Sequence, residues 1–172
     1  EQLNYEDKAL SKEGIYADTG FFKVFKTKVI AGDAAHPLPD NHSIALSQEV
    51  ANLLFRDVDA LGKFISIGGK REFKVTAVYA NYPDNSSNDY ANYILPFHAR
   101  HHEPEEWQDY YVSLYEAETK TAAEERIDTE LKKFFGNENT KSYLFCLRDW
   151  RLHWNFKNGK PSGGRIVYVV IF

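Results

Sequence analysis

The chain has 172 residues, enough for one domain or two small lobes with real cores. Its formal net charge of −4, with no run of Lys or Arg, excludes a nucleic-acid footprint, which needs a basic face. A single cysteine, Cys146, excludes an internal disulfide, and no window approaches the ~20 apolar residues of a membrane span. Aromatic residues make up 15% of the chain, mainly as 12 Phe and 11 Tyr, so a rigid core built on large rings is expected. No methionine occurs, even at position 1, which points to a fragment excised from a longer chain.

Leu3 to Asp18 reads as a hairpin, with Leu3–Tyr5 and Gly14–Ala17 flanking the polar stretch 6–13. Thr19 is placed to cap a short helical turn carrying Phe21, Phe22 and Phe25. An extended run, Lys28–Ile30, follows up to a turn at Gly32-Asp33, and residues 34–42 form a loop. Ser43–Leu46 is a short strand, after which Ser47 caps a helix to about Phe55 whose Val50, Ala51 and Leu54 share a face. Residues 63–67 and 72–80 bracket Gly68-Gly69, a hairpin signal.

The strand from Glu72 alternates strictly, with Phe73, Val75, Ala77 and Tyr79 on one side and Lys74, Thr76 and Val78 on the other. It breaks at Pro83–Ser87, a cluster of turn formers, and a further extended segment runs from Asn88 to Phe97. Residues 98–106 are a polar connection. Tyr110–Tyr115 and Ser142–Leu147 read as strands on either side of the best helix in the chain, Thr119–Phe135. Its Ala123, Ile127, Leu131 and Phe134/Phe135 fall at helical spacing, and Gly136 supplies the stop. Strand, helix and strand make one split βαβ unit. Gly159–Gly164 is a flexible tether, and the final apolar run Ile166–Phe172 is either a buried strand or the start of a membrane helix.

Little in this pattern is built for chemistry. Gly62-Lys63 fails as a phosphate loop, because Asp57 stands where a glycine is needed and Phe64 where Ser or Thr is needed. His98, His101, His102 and Glu103 form one weak metal-like cluster, set in a polar loop beside Pro104. The acidic pairs Glu105/Glu106 and Glu124/Glu125 lie on exposed-looking segments, where neither partner gains the burial that general acid work requires. Cys146 reads as a buried, inert thiol inside an apolar strand. Trp107, Tyr110, Tyr111, Trp150 and Trp154 offer an aromatic platform for sugars or a partner protein, although several suit a core equally well. Two Asn-x-Ser patterns, at Asn41 and Asn85, matter only in a eukaryotic secretory pathway.

Several segments taken together resemble the MacB-like periplasmic core domain. The set begins with Tyr16-Ala17-Asp18, Phe21-Phe22-Lys23-Val24-Phe25 and Gly32-Asp33. It continues in order through Ser43–Ser47, Ala51, Phe55, Leu61-Gly62-Lys63, Val75–Val78 and Pro83-Asp84-Asn85-Ser86-Ser87. Near the end, Trp150-Arg151-Leu152, Asn158-Gly159-Lys160 and Gly163–Ile166 resemble the run into the second membrane helix of such permeases. Arg56 departs from the pattern, which more often has glycine there; the first residues match poorly.

The resemblance implies an α+β fold of two lobes. A porter-like split βαβ lobe, 1–31 and 106–150, would carry an inserted mixed α/β (Sabre-like) lobe, 32–105, with 151–172 a tether into a truncated second membrane helix. It implies the extracytoplasmic domain of an FtsX-like ABC transporter permease, in the periplasm at the inner membrane. Such a domain is no enzyme and holds no cofactor: ATP is hydrolysed in a separate domain or subunit, and the periplasmic part relays motion in export or envelope processes. Expected partners are that ATPase, a second copy in a homodimer or pseudo-dimer, and a periplasmic protein. The alternative is a periplasmic ligand- or glycan-binding sensory module.

Overall fold

The computed structural model describes residues 1–56, 58–84, 86, 88–100, 110–114, 119–137, 139, 141–146, 155–157 and 160–163. Contacts divide the chain into two units, Glu1–Val112 and Ser113–Phe172. In the first, β1 (Gln2–Tyr5), β2 (Lys8–Ser11) and β3 (Ile15–Ala17) lead to helix α1 (Gly20–Val24) and β4 (Val29–Gly32). Strand β5 (Ser43–Ser47) then runs directly into helix α2 (Gln48–Phe55). After it come β6 (Phe64–Ile67), β7 (Arg71–Tyr79), β8 (Tyr93–Pro96) and a 3-10 turn, Phe97–Ala99.

These strands form one mixed sheet in the order β2-β1-β6-β7-β5-β8-β3, with β4 also on β7. The β5/β7 and β3/β8 pairs are parallel, the others antiparallel. Strands from 1–31 and from 32–105, the segments expected to fall in two lobes, hydrogen-bond within a single sheet.

Helix α2 forms as its sequence predicts. The Ser47 hydroxyl accepts from the Val50 amide at 3.3 Å, satisfying one of the orphan donors of the first turn. Val50, Ala51, Leu54 and Phe55 are buried against the sheet, in a cluster with Leu3, Ile44, Leu46, Phe73, Val75, Tyr93 and Leu95. A second cluster joins Ala17, Phe22, Leu38, Ala45, Ala77, Tyr79 and Ile94. Successive residues of β5 and β8 alternate between the clusters, so the two cores lie on opposite faces of the sheet. Each large side chain buried there contributes roughly 1.5–3 kcal/mol of hydrophobic stabilisation.

Strand β7 departs from its predicted alternation in one respect. Phe73, Val75, Ala77 and Tyr79 are all buried, but Phe73 and Val75 join the first core while Ala77 and Tyr79 join the second. The cause is a bulge. Ile44 of β5 pairs with Val75 and Ala45 with Ala77, leaving Thr76 as an extra residue that inverts the parity of everything after it. The Thr76 hydroxyl donates to the Pro37 carbonyl at 2.7 Å and ties down the loop before β5. On the far edge of β7, a Cβ on Gly32 would lie 2.3 Å from the Thr76 carbonyl oxygen, and Gly32 has φ +92°. Only glycine lets β4 close on the bulge.

Other local readings change where pairing partners differ. The first hairpin closes between β1 and β2, with Glu6 at φ 51° in its two-residue turn. Residues 15–17, expected to complete that hairpin, instead pair with β8. Thr19 makes no side-chain cap; the Asp18 carboxylate accepts from the Phe21 amide at 3.2 Å in its place. Of the segment 88–97, only Tyr93–Pro96 is strand.

In the second unit, helix α3 (Lys120–Phe135) has the expected bounds. The Thr119 hydroxyl accepts from the Ala122 amide at 3.2 Å, and Gly136 closes the helix at φ 64°. Ala123 is buried, while Phe134 is 81% exposed, so the predicted apolar face ends before it. The flanking segments 110–114 and 141–146 are not strands. Instead, α3 holds 141–146 by side chains: the Asp128 carboxylate accepts from the Ser142 amide and hydroxyl, and Glu124 accepts from the Leu144 amide at 2.8 Å. These donors hold the Asp128 carboxyl below its ordinary range. Without a sheet to bury it, Cys146 is exposed rather than buried. Part of the predicted tether forms a hairpin of β9 (Asn155–Lys157) and β10 (Lys160–Gly163). The apolar run 166–172 lies outside the described residues; among those described, no helix is long and apolar enough to cross a membrane.

Arg56 closes α2 at φ 52° and ψ −110°, a conformation costing a side-chain-bearing residue about 1–3 kcal/mol. Arg56→Gly removes that strain at an entropic cost of about 0.4–1 kcal/mol. The net gain should raise the melting temperature by about 2–4 °C in calorimetry. Arg56→Ala, which keeps the Cβ, should show no such rise.

Candidate functional site

Strand β3 is the last strand of the sheet, and α1 follows it after two residues. Together with the 97–100 turn and residues 110–111 they line a groove of about 440 Å³ within the first unit. The motif residues Tyr16, Asp18, Phe21 and Phe25 all reach it. They do so because Tyr16 is on the edge strand, while Phe21 and Phe25, four residues apart, share one side of the α1 turn.

The groove connects to the second core through consecutive aromatic contacts. Tyr111 packs edge-on against Phe25 at 4.9 Å between centroids, and Phe25 lies 4.6 Å from Phe21. Phe21 meets the buried Phe22 at 6.2 Å, Phe22 meets Tyr79 at 6.4 Å, and Tyr79 meets Tyr82 at 5.9 Å. These tilted and edge-to-face arrangements are the favoured ones for ring quadrupoles. At the inner end, the Tyr79 hydroxyl donates to the Ala91 carbonyl at 2.6 Å, and burial raises the Tyr79 phenol well above its ordinary value. Burial also pushes the Tyr93 phenol up to about 12.

The corner after β7 is fastened by its own backbone. Ser86 N–H donates to the Pro83 carbonyl at 2.7 Å, and the Ser86 hydroxyl accepts from the Asn88 amide at 3.1 Å. Asn88 and Tyr90 continue from this corner into the groove lining. Gly62 and Lys63 are remote from it, bonded to β7: Gly62 N–H donates to the Val75 carbonyl and Val75 N–H to the Lys63 carbonyl, both at 2.8 Å. Asn85 lies outside the described residues.

Charge in the groove comes from Asp18 and Arg100, beside mainly aromatic and aliphatic side chains. Such a lining suits the binding of planar or apolar groups with a polar edge. Of the weak metal cluster, His98 sits exposed on the 3-10 turn, and His101, His102 and Glu103 lie outside the described residues. Among the described residues, no three His, Cys, Asp or Glu side chains gather to hold a metal. Tyr110 and Tyr111 of the aromatic platform reach the groove, whereas Trp107, Trp150 and Trp154 lie outside the described residues. The groove itself is not legible in the sequence, because it needs the β3/β8 pairing to bring residues 15–25 beside 88–100 and 110–111.

Residues 2–130 match the family model of the MacB-like periplasmic core domain. Among solved structures, a domain of a protein assigned as a permease from Porphyromonas gingivalis superposes with a TM-score of 0.61 at 24% identity, over 77% of this chain and 64% of that one. The periplasmic region of MacB from Actinobacillus actinomycetemcomitans superposes with a TM-score of 0.55 at 18% identity, over 80% of this chain and 64% of that one. The chain thus spans 64% of the length of each. No curated protein matches it significantly.

Phe22 is 5% exposed and joins the groove rings to Tyr79. Phe22→Ala should lower unfolding free energy by about 3–5 kcal/mol in urea denaturation. Phe25→Ala, at a half-buried position, should cost less than half as much.

Proposed function

Given that the chain belongs to the MacB-like periplasmic core domain family, we propose that it is the extracytoplasmic domain of an ABC transporter permease and transmits ATP-driven conformational change to substrate or partner proteins. The family match over residues 2–130 carries this reading. The mixed α/β fold shared with the MacB periplasmic region supports it. On this reading the domain makes and breaks no bond. ATP is hydrolysed in a separate nucleotide-binding domain or subunit, and two copies or pseudo-copies face each other in the periplasm above the inner membrane. A sheet packed on both faces suits the role, since interiors at crystal-like density transmit displacement with little compression.

Motion of this kind is measurable in the intact transporter. Leu53 is 49% exposed on α2, so a spin label there leaves the core undisturbed. In reconstituted membranes a Leu53→Cys label in a Cys146→Ser background should give one inter-protomer distance distribution without nucleotide and a shifted one with ATP. An identical distribution in both states, or no inter-protomer distance at all, defeats the relay.

The aromatic groove favours a second reading, a periplasmic module that binds a small ligand or glycan. A panel of envelope oligosaccharides and aromatic small molecules then has a clear readout. A specific ligand at a hundred times its dissociation constant should stabilise the chain by about 2.7 kcal/mol and raise the melting temperature accordingly. Failure of the whole panel to move it leaves the relay reading alone.

A further inference from the structure

Arg71 begins β7, lies outside the groove lining, and is bonded to two of the segments that form it. Its guanidinium donates to the Tyr16 hydroxyl of β3 at 2.6 Å and to the Ala99 carbonyl of the 3-10 turn at 2.8 Å. Tyr16 lines the groove, and Ala99 sits between Phe97 and Arg100, which also line it. The guanidinium carbon lies 5.5 Å from the Phe73 ring centroid, so the fork is braced against a side chain of the first core.

We propose that Arg71 is a positioning residue that sets the width of the aromatic groove by locking the 97–99 turn to strand β3. The turn is three residues long and closes with Arg100 N–H donating to the Phe97 carbonyl at 3.2 Å. Its half-buried Ala99 packs against the same first core as Tyr16, so the guanidinium bonds the turn to β3 where both meet that core. A planar guanidinium can hold a hydroxyl and a carbonyl at once in a fixed fork; a lysine ammonium on a flexible stem cannot fix both directions. This role is independent of whether the domain relays motion or binds a ligand, because it concerns only the geometry of the groove.

The test uses paired spin labels at Lys23→Cys and His98→Cys, both exposed, one on α1 and the other on the turn, in a Cys146→Ser background. Arg71→Met should lengthen the interlabel distance and broaden its distribution roughly twofold, with Arg71→Lys intermediate. Amide exchange should accelerate at Arg100 and leave Ile44–Leu46 of β5 as protected as before. Tyr16→Phe, which keeps the ring and removes one acceptor, should act in the same direction, and combining it with Arg71→Met should add nothing further. An unchanged distance distribution in Arg71→Met overturns the proposal. So does acceleration of β5 exchange by the same factor as Arg100, since Arg71 would then only stabilise the sheet as a whole.

Discussion

One residue too many on β7, Thr76, is the constraint on which the first unit depends. A strand of period two can bury only one set of side chains on a given face. The bulge shifts that period midway, so Phe73 and Val75 build the core beneath α2, whereas after it Ala77 and Tyr79 build the core beneath α1 and Val78 turns to the first. The same strand pairs along one edge with β6 and then β4, and along the other with β5. Gly32 and the Pro37 carbonyl are both fitted to the displaced Thr76 backbone and hydroxyl. The loop preceding β5, the closure of β4 and the division between the two cores thus share one cause.

The two cores differ in what they connect to. The first is mainly aliphatic, filled by α2 and sealed at its edge by the β1/β2 hairpin, where Lys12 pairs with Glu49 of α2 at 2.6 Å. The second is smaller, and its two buried rings, Tyr79 and Phe22, continue through Phe21 to the groove. A displacement of the groove rings therefore meets tightly packed rings ending at the hydrogen-bonded Tyr79 hydroxyl. That continuity is compatible with a domain whose work is mechanical, and equally with a pocket kept rigid for a ligand.

The second unit is organised differently. Helix α3 is strongly polar, and its carboxylates are directed at the backbone of the segment after it rather than at cations alone. Glu124 combines both roles, accepting from the Leu144 amide while pairing with Lys120 at 3.6 Å. Ladder hydrogen bonds expected from strands are replaced there by side-chain acceptors.

The sequence by itself determined the elements whose signals are local. The Ser47 cap and the apolar face of α2, the Gly68-Gly69 hairpin, and α3 between Thr119 and Gly136 all follow from spacing, capping and turn chemistry within a few residues. The ordered family motifs were legible for the same reason, being short segments each read within a few residues. Tertiary structure alone decided the partners. Nothing within residues 8–17 reveals that Lys8–Ser11 closes the first hairpin while Ile15–Ala17 pairs with β8, because strand pairing is chosen by which surfaces are buried together. The Thr76 bulge was equally hidden, since Phe73 to Tyr79 alternate perfectly in sequence and only the register against β5 shows the slip. The groove follows from those two choices, which is why its residues could be named one by one but not assembled.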